Sequence, residues 1–450
     1  MDVSLGQVFG HELLQGRKLY TELWDHRPPL TYLANSLAEL LVGWGDAQIL
    51  LLGTVLSVVT LLGVWYAASA VNRTAGLVAA ALWTLVQADI ALEAQHPNAE
   101  AFLNASIVWA LALLVRGRSR WGPAILFAIA SLTKANAVVF PAVLALTHIA
   151  SADDRRGAAR DVAAWLAIGL LAWAITVGWF AVAGRFDHLW EAIIAYPRYY
   201  AGSLSANLGG GLRPANLLHP VLLALAPAAV LCAAAFLRGQ PARPRALLAG
   251  SLIAAWLAVS MPGKFFFHYY QLYMPPVVIG AGWGAAALLH RSRNTAAAIL
   301  AIALIVTTVS QVPAYVHRGE AWVRRAFPAD GERYIAQMRV IPRVRALLPR
   351  DATMYQFGSQ SAYYVATRTS PPTGVLFLSH MVAGPAAARL TTMALADLEQ
   401  ARPALIIYDS VYADYARDHP VHRWILAHYE ERPELSGERR ARILTPRARR

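Results

Sequence analysis

Charged residues that could act on an anionic substrate stand at the ends of long apolar segments, where charge is otherwise scarce. The carboxylates are Asp2, Asp25 and Glu100, and the accompanying cations are Arg27 and Lys134. A carboxylate can take the proton of an attacking hydroxyl group, and a cation can stabilise a phosphate that leaves as an anion. The set suggests chemistry on an anionic substrate held at a membrane surface.

Each of these groups also has a simpler explanation. Asp2 could be a disordered terminal residue, and Asp25, His26 and Arg27 could form a polar loop that ends at two prolines. Glu100 could complement the dipole in the first turn of a helix. Only the set of residues, rather than any one of them, indicates a function.

Further polar and aromatic residues are predicted to lie on the same side of the membrane. They are His26, His96, Asn98, Arg198, Lys264, His268, Tyr269 and Tyr270. The stretch 264–270 could alternatively be an interfacial aromatic belt. His26, His96, Asp25 and Glu100 could approach one another around a divalent cation, but loop residues without fixed spacing are a weak argument for metal ligands. The sequence therefore assigns no metal ligand, and the chemistry does not require a metal.

The composition identifies the environment of these residues. The chain has 450 residues, of which 57% are hydrophobic and 15% charged, a mean hydropathy of +0.40 and one cysteine. Soluble domains are roughly 45–50% apolar and about 25% charged. The numbers exclude a soluble protein, a disordered chain and a disulfide scaffold. The net charge is +13, and the Lys and Arg residues that cause it lie between apolar segments and in the C-terminal tail. Their positions indicate membrane topology rather than nucleic-acid binding.

Apolar segments of near-bilayer length predict a multi-pass helical protein. They occur at residues 47–70, 74–92, 97–115, 161–183, 216–237, 246–261, 270–289 and 295–312. Basic clusters at 116–120 and 155–160 are both predicted to be cytoplasmic. The intervening apolar run, 122–149, must then leave the cytoplasmic side of the membrane and return to it, with Lys134 at the turn of a short hairpin. The alternative is one tilted helix with a snorkelling lysine.

The same alternation of sides predicts three regions. Residues 1–46 form an extracytoplasmic loop with juxtamembrane helices, 47–315 a transmembrane domain, and 316–450 a small extracytoplasmic α/β domain. Within the last region we expect strands near 352–357, 373–378 and 404–408, a helix at 386–400, and a solvated Arg-rich tail at 439–450. Since nothing before Asp2 could carry the first loop across a membrane, we expect one transmembrane helix upstream of this sequence.

The order of the motifs resembles GT-C glycosyltransferases, in the branch of bacterial protein O-mannosyltransferases and lipid A aminoarabinose transferases. The family's acidic motif matches Asp2, its Gly-x-x-x-Tyr stretch matches 16–20, and its Lys-Pro-Pro-Leu-like motif matches 27–30. HPNAEAF resembles its second acidic loop, SLTKANAVVFPAV its hairpin lysine, KFFFHYYQLYMPP its late His-Tyr motif, and ALIIYDS part of its soluble domain. The sequence departs from the family in having Val3 after Asp2 instead of Glu, and Arg27 instead of Lys.

The resemblance implies an inverting transferase that moves a sugar from a polyprenyl-phosphate donor to a hydroxyl group of a lipid, glycan or protein, outside the cytoplasm of a bacterial inner membrane. Asp2 would be the base, and Glu100 would orient the acceptor or share this role. The donor phosphate would meet the cations and a histidine at Arg27, Lys134, Arg198, Lys264 and His268. The substrate would be lined by Asp25, His26, His96, Asn98, Tyr269 and Tyr270.

Two other classes of function compete with this interpretation. A transporter or flippase could use the polar set as a permeation site, but such proteins often show internal repeats, and the sequence shows none. A non-catalytic assembly scaffold would leave the carboxylates dispensable.

Overall fold

The protein is described here by a computed structural model that covers residues 2–94, 96–236, 241–328, 330–349, 351–409, 415–436 and 441–448. The side chains of residues 2, 219–223 and 314 are outside the described part. The chain divides into two compact units. The terminal unit comprises Met1–Leu51, Phe180–Tyr200 and Arg318–Arg450, and the helical unit comprises Leu52–Trp179 and Ala201–His317.

Helices dominate the described part of the first 316 residues. In chain order they are α1 (Asp2–Leu14), α2 (Leu30–Val42), α3 (Asp46–Ala68), α4 (Arg73–Val86), α5 (Ala99–Val115), α6 (Trp121–Thr133), α7 (Val139–Ala150), α8 (Arg155–Val182), α9 (Phe186–Trp190), α10 (Tyr196–Ala201), α11 (Leu204–Gly211), α12 (Pro214–Leu217), α13 (His219–Ala234), α14 (Ala242–Ser260), α15 (Met274–Arg291) and α16 (Arg293–Val316). Short 3₁₀ helices cover Ala135–Val138 and Phe267–Tyr273, and a π-helical turn covers Glu191–Ala195.

Five helical stretches of the described chain are long and apolar enough to cross a membrane, judged by length and composition. They are Asp46–Ala68, Arg155–Val182, Ala242–Ser260, Phe267–Arg291 and Arg293–Pro313. Each coincides with a segment that hydropathy predicted. The shorter apolar helices of the helical unit, α4 to α7, pack with the long ones in a common core.

Helix α15 lies at the centre of the helical unit, where it packs on α4 and α13. Two glycines allow this close approach. A Cβ atom on Gly282 would lie 2.3 Å from the carbonyl oxygen of Ala75, and one on Gly284 would lie 1.8 Å from that of Leu231. Small residues at such contacts are typical of helix packing in membranes, where close van der Waals contact replaces the hydrophobic effect.

The apolar run at 122–149 is interrupted at Lys134, as the sequence predicted. Helix α6 ends at Thr133, and Lys134 is extended, with φ −151° and ψ 128°. The chain then continues through the 3₁₀ turn into α7. Because α6 packs on α5 whereas α7 packs on α14, the two arms have different neighbours, and Lys134 stands between them.

The N-terminal part of the terminal unit is a pair of packed helices, α1 and α2. Helix α2 has 13 residues, too few to span a bilayer at 1.5 Å per residue. It buries Tyr32 and Asn35 and exposes the apolar side chains Leu33, Leu37 and Leu40. An apolar outer face on a short helix is typical of a juxtamembrane element.

The C-terminal part of the terminal unit is a small α/β layer. Its elements are α17 (Gly319–Ala326), α18 (Gly331–Leu347), β1 (Met354–Phe357), α19 (Ala362–Thr367), α20 (Ser379–Val382), α21 (Ala387–Ala401), β2 (Leu405–Asp409), α22 (Pro420–His428), β3 (Tyr429–Glu431), α23 (Pro433–Ser436) and β4 (Ala441–Pro446). The sheet has the order β1-β2-β4-β3, with β1 and β2 parallel and the other pairs antiparallel.

Two expectations for this region are wrong. Residues 373–378 form no strand, because Gly374 instead accepts a hydrogen bond from the backbone of Trp24 (3.1 Å), and a Cβ atom there would lie 1.7 Å from the carbonyl oxygen of Glu22. The predicted solvated tail contains β4, which pairs with β2 and β3 through buried Ile443 and Leu444. The prediction failed because the many arginines of this segment suggested a solvated tail, although its apolar residues form a strand.

Candidate functional site

The conformation of the first loop, residues 15–29, is fixed by hydrogen bonds from Arg17 and Tyr20. The Arg17 guanidinium donates to Glu12 (3.1 Å) and to the carbonyl oxygens of Glu22 (3.3 Å) and Pro371 (3.1 Å). The fully buried Tyr20 donates its hydroxyl to the carbonyl oxygen of Arg27 at 2.7 Å. These bonds fix the backbone on both sides of Asp25.

Asp25 is fully buried, and its two oxygens have different surroundings. Oδ2 accepts a hydrogen bond from the Tyr32 hydroxyl and lies 3.3 Å from Nη1 of Arg27. Oδ1 lies 3.1 Å from Nδ1 of His26. Burial alone would raise the pKa of Asp25, but the positive charge of Arg27 and the contact with His26 outweigh it and hold the pKa well below its usual range. The lowered pKa favours the ionised form of Asp25, which suits this carboxylate to contacts with cations rather than to accepting protons.

A histidine from the C-terminal layer completes this group. The His380 ring packs edge-on against Trp24 (4.8 Å between centroids) and Tyr196 (5.2 Å), and it lies 5.6 Å from the ring of His26. Asp25, His26 and His380 each offer an oxygen or nitrogen atom, and these atoms all lie within 4.8 Å of one another. Imidazole and carboxylate are ligands that transition metals accept. We call Asp25, His26, Arg27, Tyr32 and His380 the Asp25 cluster.

The segment that carries Tyr196 is fixed to the first loop by Glu191. This carboxylate accepts a hydrogen bond from the indole of Trp24 (3.2 Å) and forms an ion pair with Arg389. The π-helical turn at Glu191–Ala195 then leads into α10, where Arg198 is exposed. Tyr196 and Tyr200 both face the ring of His26, at 5.3 and 5.6 Å between centroids.

A second polar group lies in the helical unit, at the start of α5. The Asn98 side chain caps this helix by accepting a hydrogen bond from the backbone of Ala101 at 3.2 Å. Glu100 follows in the first turn and is 1% exposed. It forms an ion pair with Lys134, whose ammonium lies 4.0 Å from the centroid of the Tyr269 ring. The break between α6 and α7 thus places a lysine against a carboxylate and an aromatic face.

The 3₁₀ helix Phe267–Tyr273 supplies the surroundings of this pair. His268 Nδ1 lies 3.6 Å from Glu93, and Gln271 anchors the turn by donating to the carbonyl oxygens of Leu92 and Glu93 at 3.0 Å each. Tyr270 is buried and donates to the carbonyl oxygen of Asn216 at 2.5 Å. We call Glu100, Lys134, Tyr269, His268 and Glu93 the Glu100 cluster.

Seven of the thirteen predicted site residues belong to the two clusters, and Asn98 and Tyr270 lie in the same segments as the Glu100 cluster. Asp2 begins α1, but its side chain is outside the described part, so the structure does not test its predicted role. His96 precedes α5, and desolvation lowers its pKa to about 4, so this imidazole is neutral at pH 7. Arg198 and Lys264 are exposed on their respective units. The catalytic and binding roles of all these residues stay predictions.

Three residues of the two clusters were not predicted from the sequence, namely Tyr32, His380 and Glu93. Glu191, which fixes the segment that carries Tyr196, was not predicted either. His380 follows an apolar run in the C-terminal layer, and no spacing or composition signal distinguishes it from the other histidines. Glu93 and Tyr32 lie next to motifs that were recognised, but only the structure shows that Glu93 lies beside His268 and that Tyr32 donates to Asp25.

Comparison with solved structures relates this fold to known proteins. All of this chain (100%) aligns with 94% of ArnT from Cupriavidus metallidurans bound to undecaprenyl phosphate, at a TM-score of 0.61 and 16% identity. The apo state of ArnT aligns over 98% of this chain and 92% of its own, at 0.56 and 14% identity. The apo oligosaccharyltransferase of Archaeoglobus fulgidus aligns over 91% of this chain and 66% of its own, at 0.50 and 12%. No family model and no curated protein matches the sequence.

These likenesses, all at low identity, concern the fold. They confirm the predicted fold class, a helical membrane protein of the GT-C type with a small α/β layer near the C-terminus. The narrower branch within that class stays a prediction. The chain has the fold that ArnT and the archaeal oligosaccharyltransferase share.

Proposed function

We propose that this protein is an inverting glycosyltransferase that moves a sugar from a polyprenyl-phosphate donor to an acceptor hydroxyl group. The observation that carries the proposal is the fold match over the whole chain with ArnT, which was crystallised with undecaprenyl phosphate. The match is supported by buried carboxylate–cation contacts at two of the motifs that resemble this family, around Arg27 and Lys134.

By family resemblance, Arg27 and Lys134 are the residues that would stabilise the leaving group. A polyprenyl phosphate departs as an anion, and preorganised cations lower the barrier because they meet charge as it develops. Lys134 is 17% exposed and Arg27 is 12% exposed, so both side chains retain some access to their surroundings. A guanidinium can grip two phosphate oxygens at once, whereas an ammonium acts as a point charge.

The acceptor would be activated by a carboxylate. Its hydroxyl oxygen would form a bond to the anomeric carbon while the bond from that carbon to the phosphate oxygen breaks, with inversion at the anomeric centre. The hydroxyl proton would pass to the carboxylate. By family resemblance this base is Asp2. Glu100 can orient the acceptor or share the role of base, because a donor phosphate that binds Lys134 would compete with Glu100 for this lysine.

The donor assay tests this function directly. Membranes with equal amounts of each protein would receive radiolabelled polyprenyl-phosphate sugars, both pentosyl and hexosyl, and the labelled product would identify a lipid, glycan or protein acceptor. We expect Arg27→Gln and Lys134→Gln each to lower transfer by about 10²–10³-fold. The matched control is Lys18→Gln, which removes an exposed lysine of the first loop. Transfer at the wild-type rate by both Arg27→Gln and Lys134→Gln would contradict the proposal.

We place the site and residues 316–450 outside the cytoplasm of a bacterial inner membrane. The protein has one cysteine, Cys232, which is buried. Cys232→Ser therefore gives a background for single-cysteine labelling. An impermeant maleimide should label Lys18→Cys and Glu434→Cys in intact cells, and Arg155→Cys only after the inner membrane is permeabilised. The reverse pattern would overturn the orientation.

A further inference from the structure

We propose that Glu93 binds hydroxyl groups of the donor sugar and so helps to select which sugar is transferred. The assignment rests on the proposed glycosyl transfer. Glu93 belongs to the helical unit and lies between α4 and α5, ahead of the HPNAEAF motif. Its Oε2 atom lies 3.6 Å from Nδ1 of His268, and its side chain is 34% exposed. Part of this carboxylate is therefore accessible within the Glu100 cluster.

The backbone of Glu93 is left-handed, with φ 52°. The turn around it has the bonding of a helix end. The backbone N–H of Ala94 donates to the carbonyl oxygen of Asp89 at 2.8 Å, and that of Glu93 donates to Ile90 at 3.3 Å. Glycine is the usual residue at such a position, because a Cβ atom disfavours the left-handed conformation. A non-glycine residue held in this conformation indicates that its side chain has a function.

Buried polar side chains hold this turn in place. Gln311 of α16 donates to Oδ2 of Asp89 at 2.6 Å, and Oδ1 of Asp89 accepts from the backbone of Leu92 at 2.8 Å. Gln271 donates to the carbonyl oxygens of Leu92 and Glu93 at 3.0 Å each. These bonds reach the backbone of the turn or Asp89, and none of them uses the carboxylate of Glu93. The neighbouring elements therefore fix the strained backbone and present its side chain.

A short series of contacts joins Glu93 to Lys134, the cation proposed for the donor phosphate. The Lys134 ammonium lies 4.0 Å from the ring centroid of Tyr269, and the Tyr269 ring packs edge-on against that of His268 at 4.7 Å. His268 in turn lies beside Glu93. Because the sugar is bonded directly to its phosphate, a phosphate at Lys134 would place the sugar along these rings and its hydroxyl groups near Glu93. The two oxygens of a carboxylate can accept two hydroxyl groups at once.

The test compares glycine with alanine in two turns that share the same backbone bonding. The control is Arg368, an exposed residue of the terminal unit with φ 56°. Its backbone N–H donates to the carbonyl oxygen of Val365 at 3.3 Å. The next residue, Thr369, donates to that of Tyr364 at 3.1 Å. The variants are Glu93→Gly, Glu93→Ala, Arg368→Gly and Arg368→Ala. Melting temperature in detergent and kcat/KM with polyprenyl-phosphate pentoses and hexoses would be measured for each.

In both turns we expect the glycine variant to melt about 2 °C above the alanine variant, because glycine relieves the left-handed strain. Both Glu93 variants should have kcat/KM lowered about 10–100-fold, since hydrogen bonds to a charged group are lost. Both Arg368 variants should transfer sugar at the wild-type rate. Because the backbone of Glu93→Gly is relaxed, its loss of transfer could not be attributed to a destabilised turn.

Donors that lack one sugar hydroxyl group separate the donor from the acceptor as the ligand of Glu93. Removing a hydroxyl group that Glu93 binds should lower kcat/KM of wild type about tenfold and change that of Glu93→Ala little. Wild-type transfer by Glu93→Ala would overturn the assignment and leave the proposed function intact. Equal effects of every deoxy donor on both proteins would overturn it as well, in favour of a contact with the acceptor. No transfer of any donor by wild type would overturn the proposed function and the assignment together.

Discussion

The Asp25 cluster and the Glu100 cluster both bury a carboxylate beside a cation, but they do so in different ways. Asp25 has a hydroxyl donor, a guanidinium and an imidazole around it, and its pKa is held well below its usual range. Among the described residues Glu100 has one cation, Lys134, which also lies over the face of Tyr269. In that part of the chain, Asp25 is therefore held from several directions, whereas Glu100 depends on a single partner.

This difference suggests different tasks. A carboxylate held by several fixed donors keeps its charge and position, so it can organise a loop and orient ligand atoms. A carboxylate with one partner can lose that partner to an arriving anion and then serve a new one. We therefore expect the Asp25 cluster to be the more important for stability, and the Glu100 cluster to be the more responsive to substrate.

The largest expected effect separates the two clusters by stability. Asp25→Asn should lower the free energy of unfolding by about 3–5 kcal/mol, because it removes the fully buried negative charge that faces Arg27 and His26. The effect would be measured as an unfolding midpoint by tryptophan fluorescence in detergent with EDTA, so that no metal contributes. Asp187→Asn, an exposed carboxylate of the same unit, should change stability by less than about 0.5 kcal/mol. Equal losses of stability in Asp25→Asn and Asp187→Asn would show that Asp25 has no special structural role.

The fold was largely predictable because bilayer length constrains apolar helices. The predicted segments 47–70 and 295–312 correspond to Asp46–Ala68 and Arg293–Val316, and the break at Lys134 was located from one charge in an apolar run. The C-terminal layer lacks such a constraint. There, 373–378 satisfied a strand pattern, but its backbone bonds to the first loop instead of to a ladder.

The site was predictable as a list of residues and not as a set of contacts. Hydropathy and side assignment identified Glu100 and Lys134 separately, since charge at the end of an apolar segment is conspicuous. Their pairing depends on how α5 packs beside the broken helix, which no local pattern contains. His380 was missed altogether, because its proximity to Asp25 arises only from the folding of distant segments.

The next effect tests whether the Glu100 cluster is a true pair. Glu100→Gln should cost about 2–3 kcal/mol, less than Asp25→Asn, because the partly exposed Lys134 can turn toward water when its partner is lost. The double variant with Lys134→Gln should recover part of this loss, giving a coupling energy of about 1–3 kcal/mol in a double-mutant cycle. The same unfolding midpoints provide the measurement, and additive losses would show that the contact has no energetic role.

A smaller effect sharpens the account of Asp25 by comparing two fully buried tyrosine hydroxyls. Tyr32 donates to the charged carboxylate, whereas Tyr20 donates to the neutral carbonyl of Arg27. Hydrogen bonds to charged groups contribute more, so Tyr32→Phe should cost about 1.5–3 kcal/mol and Tyr20→Phe about 0.5–1.5 kcal/mol. Unfolding midpoints in detergent measure both losses. If Tyr20→Phe cost as much as Tyr32→Phe, the effect would come from the loop as a whole.

The smallest effect concerns the aromatic face that holds Lys134. An ammonium over a tyrosine ring contributes about 0.5–1 kcal/mol at a partly exposed site. Tyr269→Phe keeps the ring, whereas Tyr269→Leu removes it. The difference in unfolding free energy between these two variants should exceed the difference between Tyr273→Phe and Tyr273→Leu by about 0.5–1 kcal/mol. Tyr273 serves as the reference because it is a buried neighbour in the same turn. The excess should disappear in a Lys134→Gln background. If it persists there, the ring supports the helix by packing alone, and Glu100 is the main contact that positions the lysine.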